Sequence, residues 1–326
     1  MSHTGAHPRE LRDTRANPAW KTWGLRVLTL AFFALVAAML ARLARTLDWE
    51  AVLATLAGYR AGTLALAAAL AACSYCLYAG FELVARRYSG HPLPAALTGL
   101  VGAISYSFNL NLGAWLGGIG FRYRLYSQLG VDTPTTALLY LSTLLSNWTG
   151  YLAIAGLAFA LYGLALPPPW ELSDTALRWI GALMLAAALV YLLLCAFARK
   201  RHVSIRGHEF DLPSLRMAVL QMALGAANWM LMAAIVYVLM PRAAIGIGYG
   251  TVLATLLVAC IAGVATHIPA GLGVLEAVFI ALLGHRVPES QLLGVLLVYR
   301  GIYFIGPLFL AAAAYAWLEA TIKRAG

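Results

Sequence analysis

Apolar positions in this chain come in long blocks, and the lengths of those blocks predict its elements. Six blocks run with little polar interruption: Trp23 to Ala41, Gly62 to Glu82, Thr135 to Tyr162, Leu177 to Ala198, Met217 to Met240 and Leu292 to Trp317. Each is near the ~20 residues a helix needs to cross a ~30 Å hydrocarbon layer. Two further apolar stretches, Leu93 to Gly120 and Gly250 to Gly284, are broken by Gly, Asn and Pro. The fold class expected is all-α: a polytopic transmembrane helical bundle of six spanning helices plus two interrupted segments, read as re-entrant helical hairpins. Eight full spans is the alternative. A single transmembrane domain is expected over 23–318, between a polar segment 1–22 and a tail 319–326.

Composition supports a membrane solvent, since 62% of the 326 residues are hydrophobic and 11% are charged, against about a quarter charged in soluble domains. The net charge is +10, and its placement matters more than its size. Basic clusters stand at the N-terminus, at Arg86 and Arg87, at Arg122 and Arg124, along "RKRHVSIRGH", and at Lys323 and Arg324. Lys and Arg in short loops mark the cytoplasmic side. All five clusters share that side only if both interrupted segments dip in and return, one from each face. Both termini are then cytoplasmic, in a multi-pass inner membrane protein. No cleavage site follows the first block, which is read as an uncleaved anchor.

The polar residues inside the interrupted segments carry the candidate chemistry. In "HIPAGLGVLEAVFIALLG", Pro269 lacks a backbone donor and Gly271 and Gly273 permit unusual backbone angles, so a break between two half-helices is expected there. The second half-helix should begin near Val274, with an N-terminus suited to phosphate or carboxylate. Irregular backbone at membrane depth is tolerated where protein or a polar cavity satisfies it. The competing reading is that these glycines let helices pack closely. Glu276 falls in the first turn of that half-helix, and Arg300 in "LLVYRGIYFIGP" is its expected partner. A purely structural ion pair and direct headgroup contact both stand. His267 has no companion at metal-ligand spacing; the more usual role for such a residue is a satisfied histidine at an interface.

The first interrupted segment reads "SYSFNLNLGAWLGGIGFRYRLYSQLG". Asn109 and Asn111 precede Gly113, Gly117, Gly118 and Gly120, and Arg122 and Arg124 follow. Guanidinium groups there suit phosphate, or serve as ordinary cytoplasmic anchors. Glu82, ending its apolar block, is expected to reach the interface. Cys73, Cys76, Cys195 and Cys260 lie in apolar segments as small packing residues. No phosphate-binding loop is present, no Ser/His/Asp or paired-carboxylate arrangement emerges from the spacing, and neither a cofactor nor nucleic acid is expected. "RKRHVSIRGHEFDLP" is read as a solvated cap.

The motifs "GGIGFRYRLYSQLG", "HIPAGLGVLEAVFIALLG" and "LLVYRGIYFIGP" resemble those of flippase-like integral membrane proteins related to the transmembrane half of lysylphosphatidylglycerol synthases, over about Val27 to Leu318. In bifunctional relatives that unit moves aminoacylated phosphatidylglycerol between leaflets after a separate domain has charged the lipid. The resemblance implies translocation of an anionic or aminoacylated phospholipid, without aminoacyl transfer. It also strengthens the cavity reading of Pro269, Gly271, Gly273, Glu276 and Arg300. On the residues alone, a non-transporting membrane partner of a lipid-synthesising enzyme is a second hypothesis, and an intramembrane headgroup enzyme a third.

Overall fold

The computed structural model describes residues 57–162, 164, 173–197, 202–205, 208–241, 246–266 and 271–325, with isolated helical positions at Ala34, Ala38 and Arg45. The chain divides into two compact units, Met1–Leu47 and Asp48–Gly326. The expected first span, Trp23 to Ala41, lies almost entirely outside the described residues, as do His267 and Pro269.

The second unit is helical. Helices α1 (Ala61–Ser89), α2 (Ala95–Leu112), α3 (Phe121–Gln128), α4 (Thr133–Leu161) and α5 (Asp174–Phe197) are followed by a two-stranded ribbon, β1 (His202–Ile205) and β2 (His208–Asp211). Then come α6 (Leu215–Leu239), α7 (Tyr249–Thr266), α8 (Val274–Leu283), α9 (Glu289–Arg300) and α10 (Gly306–Ala325). Among the described residues are also two π-helical stretches, Ala114–Gly120 before α3 and Gly301–Ile305 joining α9 to α10. The ribbon is antiparallel, with His202 opposite Asp211 and Ile205 opposite His208, within the loop read from sequence as a cap.

Among the described residues, six helices are long and apolar enough to cross a membrane: α1, α4, α5, α6, α7 and the continuous run Glu289–Ile322. Five coincide with blocks read from the sequence; the sixth, α7, is the first limb of an interrupted segment. At 18 residues it is about 27 Å long, whereas α8 has 10 residues. The two limbs are therefore unequal, where half-helices were expected.

Both interrupted segments double back. Gly113 (φ 83°, ψ 171°) ends α2 in a conformation open essentially to glycine alone, and the rings of Phe108 and Phe121 stack at 3.8 Å between centroids. In a continuous helix thirteen residues would separate them by roughly 20 Å. A Cβ on Gly117 would sit 2.1 Å from the Phe108 carbonyl oxygen, so that glycine is required by the return limb's close approach. In the second segment α8 packs back on α7, with Gly263 close to Gly271.

Helices in hydrocarbon gain little from burying apolar surface and associate through small residues instead. α6 packs against α1 and α4, and its crossing with α4 is made by two facing glycines. A Cβ on Gly225 would lie 2.1 Å from the Ser146 carbonyl oxygen, and one on Gly150 2.3 Å from the Ala226 nitrogen. Gly156 and Gly181 do the same between α4 and α5. Gly225→Ala should therefore overpack backbone against backbone, at a cost of about 1–3 kcal/mol, whereas Gly80→Ala, with open space around it, should leave stability unchanged or slightly raised. Thermal denaturation of the detergent-solubilised variants checks the contrast.

Candidate functional site

Among the described residues, an ion pair lies beside each interrupted segment. Arg122, in the first turn of α3, donates from Nε (3.1 Å) and Nη2 (2.9 Å) to the two carboxylate oxygens of Glu82 on α1. Both side chains are buried, at 1% and 0% exposure. Glu82 also accepts from the Tyr126 hydroxyl at 2.9 Å and from Thr143 on α4 at 3.1 Å. Gly102 of α2 leaves room for it, since a Cβ there would come within 3.0 Å of the Glu82 Cβ. The Arg122 Nη1 donates to the Gly118 carbonyl at 3.3 Å.

The second pair repeats the scheme. Arg300, at the end of α9, donates from Nε to Glu276 Oε1 (2.6 Å) and from Nη2 to Oε2 (3.1 Å). The same Nη2 reaches the Gly271 carbonyl at 3.0 Å. Glu276 Oε2 in turn accepts from the Gly273 amide at 3.0 Å, capping α8 from its third position. Gly271 (φ 55°) and Gly273 (φ 79°) hold the left-handed backbone that makes the break. Each guanidinium thus binds one carboxylate twice and one glycine carbonyl of an interrupted segment, an arrangement that satisfies its charge.

Between the two breaks lies a cavity of about 600 Å³. Asn109, Gly113 and Trp115 of the first segment line it, as do Gly263, Gly271 and Leu275 of the second. The remaining wall comes from Tyr78, Tyr140, Asn147, Trp148, Trp229, Tyr299 and Phe304, among others. The Arg122 guanidinium carbon stands 5.3 Å from the Tyr140 ring centroid and that of Arg300 5.6 Å from Phe304, so each ion pair backs an aromatic side chain of the wall.

The family follows from the chain as a whole: residues 26–311 match the family described as lysylphosphatidylglycerol synthase TM region. The chain belongs to that family. Among its relatives is the inner membrane protein YbhN of Escherichia coli K12, 41% identical over 312 residues that cover 95% of this chain and 97% of that protein. An uncharacterised Synechocystis protein, slr0712, is 34% identical over 274 residues, 83% of this chain and 84% of its own length. This member of the lysylphosphatidylglycerol synthase TM region family is thus similar to both along most of its length.

Of the residues expected to form the site, Asn109 and Gly271 line the cavity, and Gly273, Glu276 and Arg300 build the break beside it. Asn111 is buried, and its amide donates to the carbonyls of Ser107 (2.8 Å) and Phe304 (3.2 Å), tying α2 to the π-helical stretch before α10. Arg124 stands apart on α3, bound to Glu319 at 3.0 Å and to the Tyr315 hydroxyl at 2.6 Å.

Glu82 corrects the expectation that it reaches the interface. It is completely buried because Arg122, Tyr126 and Thr143 together supply the polar contacts that water would otherwise give. The signal that could have found it is simple: Glu82 and Glu276 are the two acidic residues within the apolar segments. Removing one partner of a buried pair leaves an uncompensated charge, typically costing about 3–5 kcal/mol. Glu82→Ala and Arg122→Ala should each be strongly destabilising, and the double variant markedly less so than their sum. A double-mutant cycle on melting temperature reads that coupling.

Proposed function

We propose that this protein is a multi-pass inner membrane lipid translocator, in which a phospholipid headgroup passes through the cavity while the acyl chains stay in the bilayer. The observation that carries the reading is the convergence of both broken segments on one cavity. Oppositely inserted, interrupted helices that meet at a mid-membrane site are the construction inverted-repeat transporters use for substrate binding. The return of each segment on itself supports their reading as re-entrant hairpins, with both termini cytoplasmic. Membership of a family described by a lipid synthase's transmembrane region, and the inner-membrane name of the E. coli relative, support the lipid and the membrane. The substrate proposed is of the phosphatidylglycerol type, anionic or aminoacylated. No catalytic step is assigned to the chain.

In this reading Glu82, Arg122, Glu276 and Arg300 hold the cavity walls, and the open space between the breaks is the path. The test compares filling the path with disturbing the walls. Among the described residues, nothing lies within 4 Å of a Cβ built on Gly271, and one on Gly263 meets the Gly271 Cα at 3.8 Å. Gly271→Leu and Gly263→Leu should stop leaflet-to-leaflet movement of fluorescent phospholipids in proteoliposomes. Gly271→Asn serves as the backbone control, because asparagine tolerates the left-handed conformation. Retention of transport by both leucine variants at unchanged melting temperature would sink the path. If no lipid moved in the wild type, a non-transporting role beside a lipid-synthesising enzyme would replace the translocator reading.

A further inference from the structure

The cavity opens sideways, and the depth of its mouth decides what it meets. Of the residues that line it, Ala114, Trp115 (83%), Leu144 (38%) and Val264 (52%) are exposed, and all four are apolar. Leu144 stands close to the midpoint of α4, Thr133–Leu161, roughly 5 Å from it along the axis at 1.5 Å per residue. The edge of the hydrocarbon lies about 15 Å from the centre of the layer. The mouth is therefore at the level where acyl chains end, away from headgroups and water.

The wall suits the same solvent. Among the described residues, no Asp, Glu, Lys, Arg or His side chain lines the cavity. Its polar groups are few, and some are already engaged. The Tyr106 hydroxyl lies 2.7 Å from that of Tyr303, and the Asn147 carbonyl accepts from the Trp229 indole at 3.2 Å. Leu110, Leu116, Met232 and Leu256, with the rings of Trp148 and Phe304, carry much of the remaining surface. An apolar cavity does not hold water, and left empty its lining forgoes dispersion contacts. At about 600 Å³ it has the size of sites that accept a small molecule. Hydrocarbon is both what stands at the mouth and what the wall favours.

We infer that in this conformation the cavity holds the terminal part of an acyl chain of a bilayer phospholipid, which enters between Trp115, Leu144 and Val264 while its headgroup stays at the membrane surface. For the translocator proposed above, such a chain closes the path until it withdraws.

The test is photo-labelling of the full-length protein in nanodiscs by a phospholipid that carries a diazirine near the end of one acyl chain, mapped by mass spectrometry. Light expels dinitrogen, and the carbene inserts into the nearest bond. The chain-end probe should label Trp148 and Cys260, which are partly buried on the wall, as well as Leu183 and Leu310, exposed on α5 and α10. A diazirine beside the glycerol should spare Trp148 and Cys260. Val264→Trp and Leu144→Trp crowd the mouth. Each should lower labelling of the wall about tenfold, the scale of an overpacked apolar site, with Leu183 labelled as before and the melting temperature unchanged. Phosphatidylglycerol and phosphatidylethanolamine bearing the same chain should label alike.

Labelling of Leu183 without the wall, or wall labelling undiminished in both crowded variants, would overturn the inference. A strong dependence on headgroup would overturn it in favour of a headgroup inside the cavity. Labelling by the same chain only as a free fatty acid would overturn the assignment to a phospholipid. Reaction of Cys260 with a membrane-impermeant thiosulfonate, with Cys73, Cys76 and Cys195 replaced by Ala, would show water where the chain belongs. Labelling is read without any lipid crossing, so this inference and the translocator reading fail separately.

Discussion

The arrangement on which the rest depends is a guanidinium held by one carboxylate and one glycine carbonyl, built twice. A helix broken inside hydrocarbon leaves N–H and C=O groups with no water to satisfy them, and a lone charge there is at least as unfavourable. Neither problem has a cheap solution by itself. Together they offset one another most directly at the second break, where Arg300 reaches the Gly271 carbonyl and Glu276 caps the amide of Gly273, while Arg122 reaches the Gly118 carbonyl in the helical run after the first. The carboxylates hold the guanidinium groups in the orientation that makes this possible. Buried ion pairs are weak evidence of stability as such; here their role is to make two irregular turns affordable within a helical bundle.

The π-helical stretch Gly301–Ile305 extends the same logic across the bundle. A π turn interrupts the regular backbone ladder, and here two of its carbonyls accept from side chains. Phe304 receives Asn111 of α2 and Tyr303 receives Tyr75 of α1. The Tyr303 side chain meanwhile sits in the hydroxyl chain that joins Tyr106 on α2 to Ser74 on α1 and Asn228 on α6. Three helices are thereby tied to a single irregular turn, which begins immediately after Arg300. Hydrogen bonds of about 3 Å thus link the turn that follows the second ion pair to α2 of the first segment.

Much of this was legible in the sequence, and the part that was not has an identifiable cause. Block length predicted five of the spanning helices, because hydrocarbon thickness fixes length almost independently of packing. Pro and Gly spacing placed the start of α8 at Val274, where it stands. Glu276 and Arg300 could be paired because both are stranded in apolar sequence with few alternatives. Glu82 was misread because it ends its block next to Arg86 and Arg87, where a carboxylate ordinarily reaches water. Its partner lies forty residues later, and no local pattern announces that separation. Asn111 donates to the carbonyls of Ser107 and Phe304, and helical position alone does not tell a cavity from a neighbouring carbonyl.

The cavity itself was legible only as a consequence of the two breaks, and its character follows from how they are stabilised. An arginine that spends its donors on a carboxylate and a backbone carbonyl has little left for a ligand phosphate, and a carboxylate so engaged has little left for an ammonium group. The device that permits irregular backbone in the membrane thus withdraws charge from the space it encloses. Among the described residues the wall keeps apolar side chains, aromatic rings and a few amides and phenols. In the translocator reading proposed above, such a wall would lower the barrier for a headgroup without binding it as an ion site would, since a substrate held tightly at mid-membrane would be trapped rather than carried through.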